Sequence, residues 1–149
     1  MKTLASVLKA IKTHANKNTK KGTRKVATWP IGKVERQGDV YLIRLAKQEF
    51  KTPAKTQQLA PGESKGSRHI VVGGKTFLGW PVPETLFLEE SKKLGVSRER
   101  LCKELVGPAV VAAKRWKLKH PEHDDFDNPA GVYGTWGQLD TKTLKRVRD

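Results

Sequence analysis

Leu4, Val7, Leu8, Ile11 and Ala15 recur at the three-and-four spacing of one helix face, while Lys2, Lys9, Lys12 and Lys17 fall on the other side. The spacing predicts an amphipathic helix of about four turns, with Thr3 able to cap its start. Lys9 and Lys12 interrupt the apolar run and no cleavage-site pattern follows, so the segment does not read as a secretory signal. Its apolar stripe predicts docking on the body of the protein or on a neighbouring subunit, with a membrane surface as the alternative. Asn16 to Lys25, polar and basic around Gly22, then predicts an extended linker whose like charges repel.

From Ile31 the period shortens. Val40, Leu42 and Arg44 alternate with Tyr41, Ile43 and Leu45, which predicts a strand apolar on both faces, entered through a turn at Gly38-Asp39. Lys51 to Lys65 is rich in Pro, Gln, Thr and Gly and predicts a loop or irregular edge. His69 to Val72 and Thr76 to Trp80 predict two strands of a hairpin turned by Gly73-Gly74, because two glycines accept the positive φ of a tight turn. Val110 to Leu118 and Gly131 to Trp136 predict further strands, and a short closing strand or helix follows from Thr141. Between Pro83 and Gly107 the helical period returns in Leu86, Leu88, Leu94, Leu101 and Leu105, broken at Gly95, with Ser97 suited to cap a second helix and Gly107-Pro108 to stop it. The pattern predicts an α+β chain: a basic N-terminal helix and linker arm over residues 1–28, then a β-rich domain over 29–149, a small β-barrel or roll carrying a two-helix insertion at 83–107.

Composition narrows the function classes. A chain of 149 residues forms one domain and buries enough surface to need no staple. The single cysteine, Cys102, excludes an intramolecular disulfide and suits a reducing cytoplasm. No run approaches the length of a membrane span. Thirty Lys and Arg against fifteen Asp and Glu leave a net charge of +15, which points to a polyanionic partner. Residues 1–28 hold Lys2, Lys9, Lys12, Lys17, Lys20, Lys21, Arg24 and Lys25 and no acid, so they supply about half of that excess.

Three constellations carry candidate chemistry. Glu89 to Leu101, with Gly95, Val96 and Ser97 at its centre, is similar to the corner of a helix-turn-helix, which would present Arg98, Glu99 and Arg100 to a major groove. The bland alternative is a helical hairpin capping the open end of a barrel, and Glu104, where an aliphatic residue is usual, favours it. His69, His120 and His123 fall in loops able to converge, and three imidazoles suit a divalent transition metal, with Glu122, Asp124 or Asp125 as orienting group or base. The alternative is a set of hydrogen-bonded loop anchors. Trp29, Trp80, Trp116 and Trp136 stand near cations, most closely in Lys114-Arg115-Trp116-Lys117, an arrangement that could stack bases and hold phosphates. Strand alternation instead points Trp116 inward. Cys102 has no histidine near it in sequence and reads as a packed or half-exposed thiol.

Arg36-Gln37-Gly38-Asp39-Val40, Leu59-Ala60-Pro61-Gly62-Glu63, Gly66-Ser67-Arg68-His69, His120-Pro121-Glu122-His123, Pro129-Ala130-Gly131-Val132-Tyr133 and Arg146-Val147-Arg148-Asp149 follow one another in that order. The set resembles a group of small uncharacterised bacterial and bacteriophage β-rich proteins. The resemblance implies a compact β fold and a bacterial or phage source, and assigns no activity. The expected function is non-enzymatic binding of nucleic acid, or of a nucleoprotein complex, in the cytoplasm. Lys9, Lys12, Lys17, Lys20, Lys21, Arg24 and Lys25 would meet phosphates, and Arg98, Arg100, Arg115 and Lys117 would extend the track. A phage structural or host-inhibiting protein, able to form oligomers, is the alternative, and a metal-dependent hydrolase built on His69, His120 and His123 is the third. No other cofactor is implied.

Overall fold

Gly73 and Gly74 do not turn a hairpin; they fold a sheet. In the computed structural model, which describes residues 22–61 and 67–147, β4 (Ile70–Val72) pairs antiparallel with β7 (Trp116–Lys119), whereas β5 (Lys75–Phe77) pairs antiparallel with β6 (Ala109–Ala112). The neighbouring segment bends in the same place, since β8 (Asp125–Asn128) lies beside β7 and β9 (Gly131–Gly137) beside β6. Three adjacent stretches of chain thus cross one fold line, at Gly73-Gly74, between Ala112 and Trp116, and at Pro129-Ala130. The expected single strand Val110–Leu118 is therefore two strands in two sheets. A Gly-Gly dipeptide suits either outcome; close packing decides for the fold, because a side chain at Gly74 would press on Val110 and Val71 at 3.1 and 3.2 Å.

Around this folded ladder, β1 (Thr23–Lys25), β2 (Val34–Gln37) and β3 (Val40–Leu45) complete two sheets. The four-stranded sheet runs β1-β8-β7-β4, with β1 parallel to β8, and the five-stranded sheet runs β2-β3-β9-β6-β5. Among the described residues the strands close no barrel. Where one would close, β1 and β2 meet through the Arg24 Nη2–Glu35 Oε2 ion pair at 2.7 Å rather than through a backbone ladder. Strand β1 also moves the start of the sheeted body into the segment expected as linker. The predicted leading helix, the rest of that linker and residues 62–66 lie outside the described residues.

Alternation on β3 shows why the five-stranded sheet is covered twice. Val40 and Leu42 enter a core shared with the four-stranded sheet, among Trp29, Val71, Trp116 and Tyr133. Tyr41, Ile43 and Leu45 point the other way, toward Trp80, Leu101, Leu105 and Trp136. The helical insertion, α1 (Leu88–Leu94) and α2 (Arg98–Leu105), supplies that second cover. It lies on a sheet face, not over a barrel mouth, so the molecule has three layers: helices, five-stranded sheet, four-stranded sheet.

Gly95 adopts φ 64° between the helices, and the Ser97 hydroxyl accepts the Arg100 N–H at 3.2 Å. Both are where the sequence places them. Ser97→Ala removes this cap and is expected to lower stability by about 1 kcal/mol, read as a shifted urea midpoint with an unchanged slope. After β9 the chain makes a small hairpin, β10 (Leu139–Asp140) with β11 (Lys145–Arg146). Among the described residues no helix is long and apolar enough to cross a membrane.

Candidate functional site

Three of the sequence motifs meet at one end of the fold, where the β2–β3 turn sits against the edge of the four-stranded sheet. Gly38 takes φ 56° in that turn, and the His123 ring packs so closely on it that a Cβ there would displace the ring. The rings of His69, His120 and His123 cluster, with centroids 4.5 Å apart for His69–His120, 4.3 Å for His120–His123 and 6.1 Å for His69–His123. The expected convergence is therefore found, and His69 and His120 are each only 1% exposed.

Hydrogen bonding fixes how these rings are used. The Gln37 side-chain amide donates to the Leu118 carbonyl at 2.9 Å and to the Asp124 carbonyl at 2.8 Å, so its oxygen must be the atom that faces His69 Nδ1 at 2.7 Å. His69 Nδ1 consequently carries a proton. Its Nε2 lies 2.7 Å from Asp39 Oδ1, and one further proton is shared across that buried contact. His120 has the opposite polarity: its Nδ1 accepts the backbone N–H groups of Glu122 at 3.0 Å and His123 at 3.3 Å, which puts the proton of the neutral ring on Nε2.

A metal ligand must direct an imidazole lone pair at the ion. Both His69 nitrogens are already engaged, by Gln37 and Asp39, and the Nδ1 lone pair of His120 is directed at backbone. Among the described residues no group of three His, Cys, Asp or Glu side chains is arranged to hold a metal. The three rings, with Gln37 and Asp39, form a polar plug that locks the hairpin tip of one sheet to the end of the other. Gln37 and Asp39, which in sequence read only as residues of a turn, are its organising members. Their signal was present in the Arg36-Gln37-Gly38-Asp39 run, whose position beside the histidine motifs only the topology reveals.

The cations divide sharply. Arg98 is a structural tie, donating from Nε to the Leu86 carbonyl at 2.9 Å and from Nη2 to the Pro83 carbonyl at 2.6 Å. Arg115 is another, reaching Asp127 Oδ1 at 2.8 Å and the Val26 carbonyl at 2.9 Å, so that it pins β1 to β8. Arg24 pairs with Glu35 and lies over the Phe126 ring at 5.0 Å. Arg100 is exposed, but on the helical layer, across the molecule from Lys117. The four expected body positions therefore do not form one track. Lys117 and Lys119 alternate on the outer face of β7, exposed, with Lys25 two strands away on β1 and Asp127 between Lys117 and Lys25 in register. Lys9, Lys12, Lys17, Lys20 and Lys21 lie outside the described residues.

Trp116 points inward, 1% exposed, with its ring 5.2 Å from that of Tyr133. Burial raises the Tyr133 hydroxyl above its ordinary pKa, and that hydroxyl donates to the Pro129 carbonyl at 2.6 Å. Cys102 is half-buried, and burial raises its thiol pKa, which disfavours the reactive thiolate.

A family described as a domain of unknown function (DUF8820) matches residues 36–138. The match starts and ends on residues that touch, since Arg36 Nη2 donates to Gln138 Oε1 at 2.7 Å. It takes in the histidine plug, both helices and the whole folded ladder. Neither a curated protein nor a solved structure matches the chain. With well over half of its length inside that match, the chain belongs to the DUF8820 domain family.

Proposed function

We propose that this protein binds nucleic acid through phosphate contacts made by the outer face of the four-stranded sheet and the lysine-rich segment that leads into it. The observation that carries this reading is the placement of Lys117 and Lys119 at alternate, exposed positions of β7, on the sheet whose edge strand β1 is joined directly to residues 1–21. Those 21 residues contain six lysines and no acid. Cations gathered on one surface release counterions from a polyanion together, and this gives affinity with no base contact. Trp116 is buried, so the reading uses phosphates and not base stacking on that ring.

Fluorescence anisotropy with labelled single-stranded and duplex DNA and RNA of one length tests it. Lys117→Glu combined with Lys119→Glu is expected to weaken binding by about tenfold or more at low salt, because two attractive charges become repulsive. Arg100→Glu combined with Lys103→Glu, the same four-unit change in charge made on two exposed positions of the opposite layer, is expected to change it far less. Equal losses from the two changes would show that only net charge matters and would remove the sheet face from the proposal.

A further inference from the structure

A half-open cavity of about 610 Å³ lies where β3 ends and β6 and β9 approach the fold line, lined by Ile31, Arg44, Leu45, Val111, Gly131 and Val132 among others. Its size falls within the range of small-molecule sites, and its walls are mainly apolar. The rim carries Lys47, Gln48 and Glu49, and Ile31 is 67% exposed beside it.

Arg44 makes this hollow more than a dent. It follows Val40 and Leu42 on the inward face of β3, so its stem runs along the core and its guanidinium rests 5.6 Å from the Tyr133 ring centre. Nη1 donates to the Trp29 carbonyl at 3.0 Å, whereas Nε is buried with no hydrogen-bond partner among the described residues. No carboxylate pairs with Arg44 among those residues. A half-buried cation without a counter-ion is costly, and an anion brought into the hollow offsets that cost. Gly131 makes the geometry possible. A Cβ there would stand 2.6 Å from Arg44 Cζ and Nε, so the bare Cα lets the guanidinium lie along the strand at the base of the hollow.

We propose that this cavity binds a small amphipathic carboxylate, its acid group paired with Arg44 and its apolar body against Val111, Val132 and Ile31. Arg44 presents a planar fork suited to a carboxylate, and the apolar walls favour an aliphatic tail over a sugar or nucleotide. The site is separate from the lysines of β7 and does not depend on nucleic-acid binding.

Isothermal titration of the intact chain with dodecanoate, dodecanol and dodecyltrimethylammonium tests the proposal. Dodecanoate is expected to bind saturably at one site and about tenfold or more tighter than either other probe. Arg44→Met should weaken dodecanoate by about tenfold or more, and Ile31→Asp, an exposed change that puts a repelling acid at the mouth, by several-fold. Lys117→Gln should leave it unchanged. If Arg44→Met fails to fold, as circular dichroism would show, Ile31→Asp decides alone. Dodecanoate binding no tighter than dodecanol, many weak sites sensitive to Lys117→Gln, or full affinity in Ile31→Asp would overturn the assignment.

Discussion

Asp39→Ala is expected to destabilise the fold by about 3–5 kcal/mol, while Asp39→Asn costs only about 1 kcal/mol. The difference follows from the direction of the hydrogen bonds. Gln37 is held by two carbonyls and cannot turn its oxygen away, so His69 Nδ1 must keep its proton whatever happens at position 39. With alanine, His69 Nε2 loses Asp39 Oδ1, the group that shares its proton in the interior. With asparagine, the ring becomes neutral and its Nε2 lone pair accepts an amide N–H from the new side chain, so the contact between positions 39 and 69 stays paired. Urea denaturation of the two variants beside the parent reads the contrast directly. Equal losses for both substitutions would mean that the carboxylate charge, not the pairing, is what the plug requires.

The second large effect falls on Trp116. Its ring fills the space between the two sheets beside Tyr133, which in turn packs edge-on to Trp29 at 4.8 Å, so Trp116→Ala opens a cavity that the surrounding strands cannot close. A loss of about 3–5 kcal/mol is expected, measured as the same urea midpoint. The functional corollary separates packing from recognition. Trp116→Phe keeps an aromatic ring in the core and is expected to bind DNA and RNA as tightly as the parent, because the position never meets solvent. A selective loss of single-stranded binding in a folded Trp116→Phe would place the ring at the nucleic acid after all.

What the sequence made legible, and what it hid, follows from where the information resides. Strand β3 was readable because both of its faces are apolar, and that pattern has one physical meaning, a sheet covered on each side. The Gly95–Ser97 corner was readable because an αL glycine and a hydroxyl cap act locally. The folded ladder was not, since Gly73-Gly74 permits a tight turn and a sheet corner alike, and only Val71, Val110 and the neighbouring strands choose between them. Strands β1, β2 and β8 are hidden in the sequence because they are short and carry charged residues such as Arg24, Glu35 and Asp127, which read as loop until a partner strand accepts them. At the site, the meeting of His69, His120 and His123 is legible in their motifs, but their protonation is not, because it is dictated by Gln37 and by backbone groups far away in sequence. The same holds for the cations. Nothing in the residue type distinguishes Arg98 and Arg115, bound to carbonyls, from Lys117 and Lys119, left to solvent.

Whether the lysines of the four-stranded sheet meet phosphates is read most directly from the slope of log affinity against log salt for duplex DNA, taken on the parent and on Lys117→Gln with Lys119→Gln. Removing one lysine–phosphate pair should flatten the slope by about 0.9, so the double variant is predicted to differ from the parent by about 2. A slope that stays the same in the variant would contradict phosphate binding at this face.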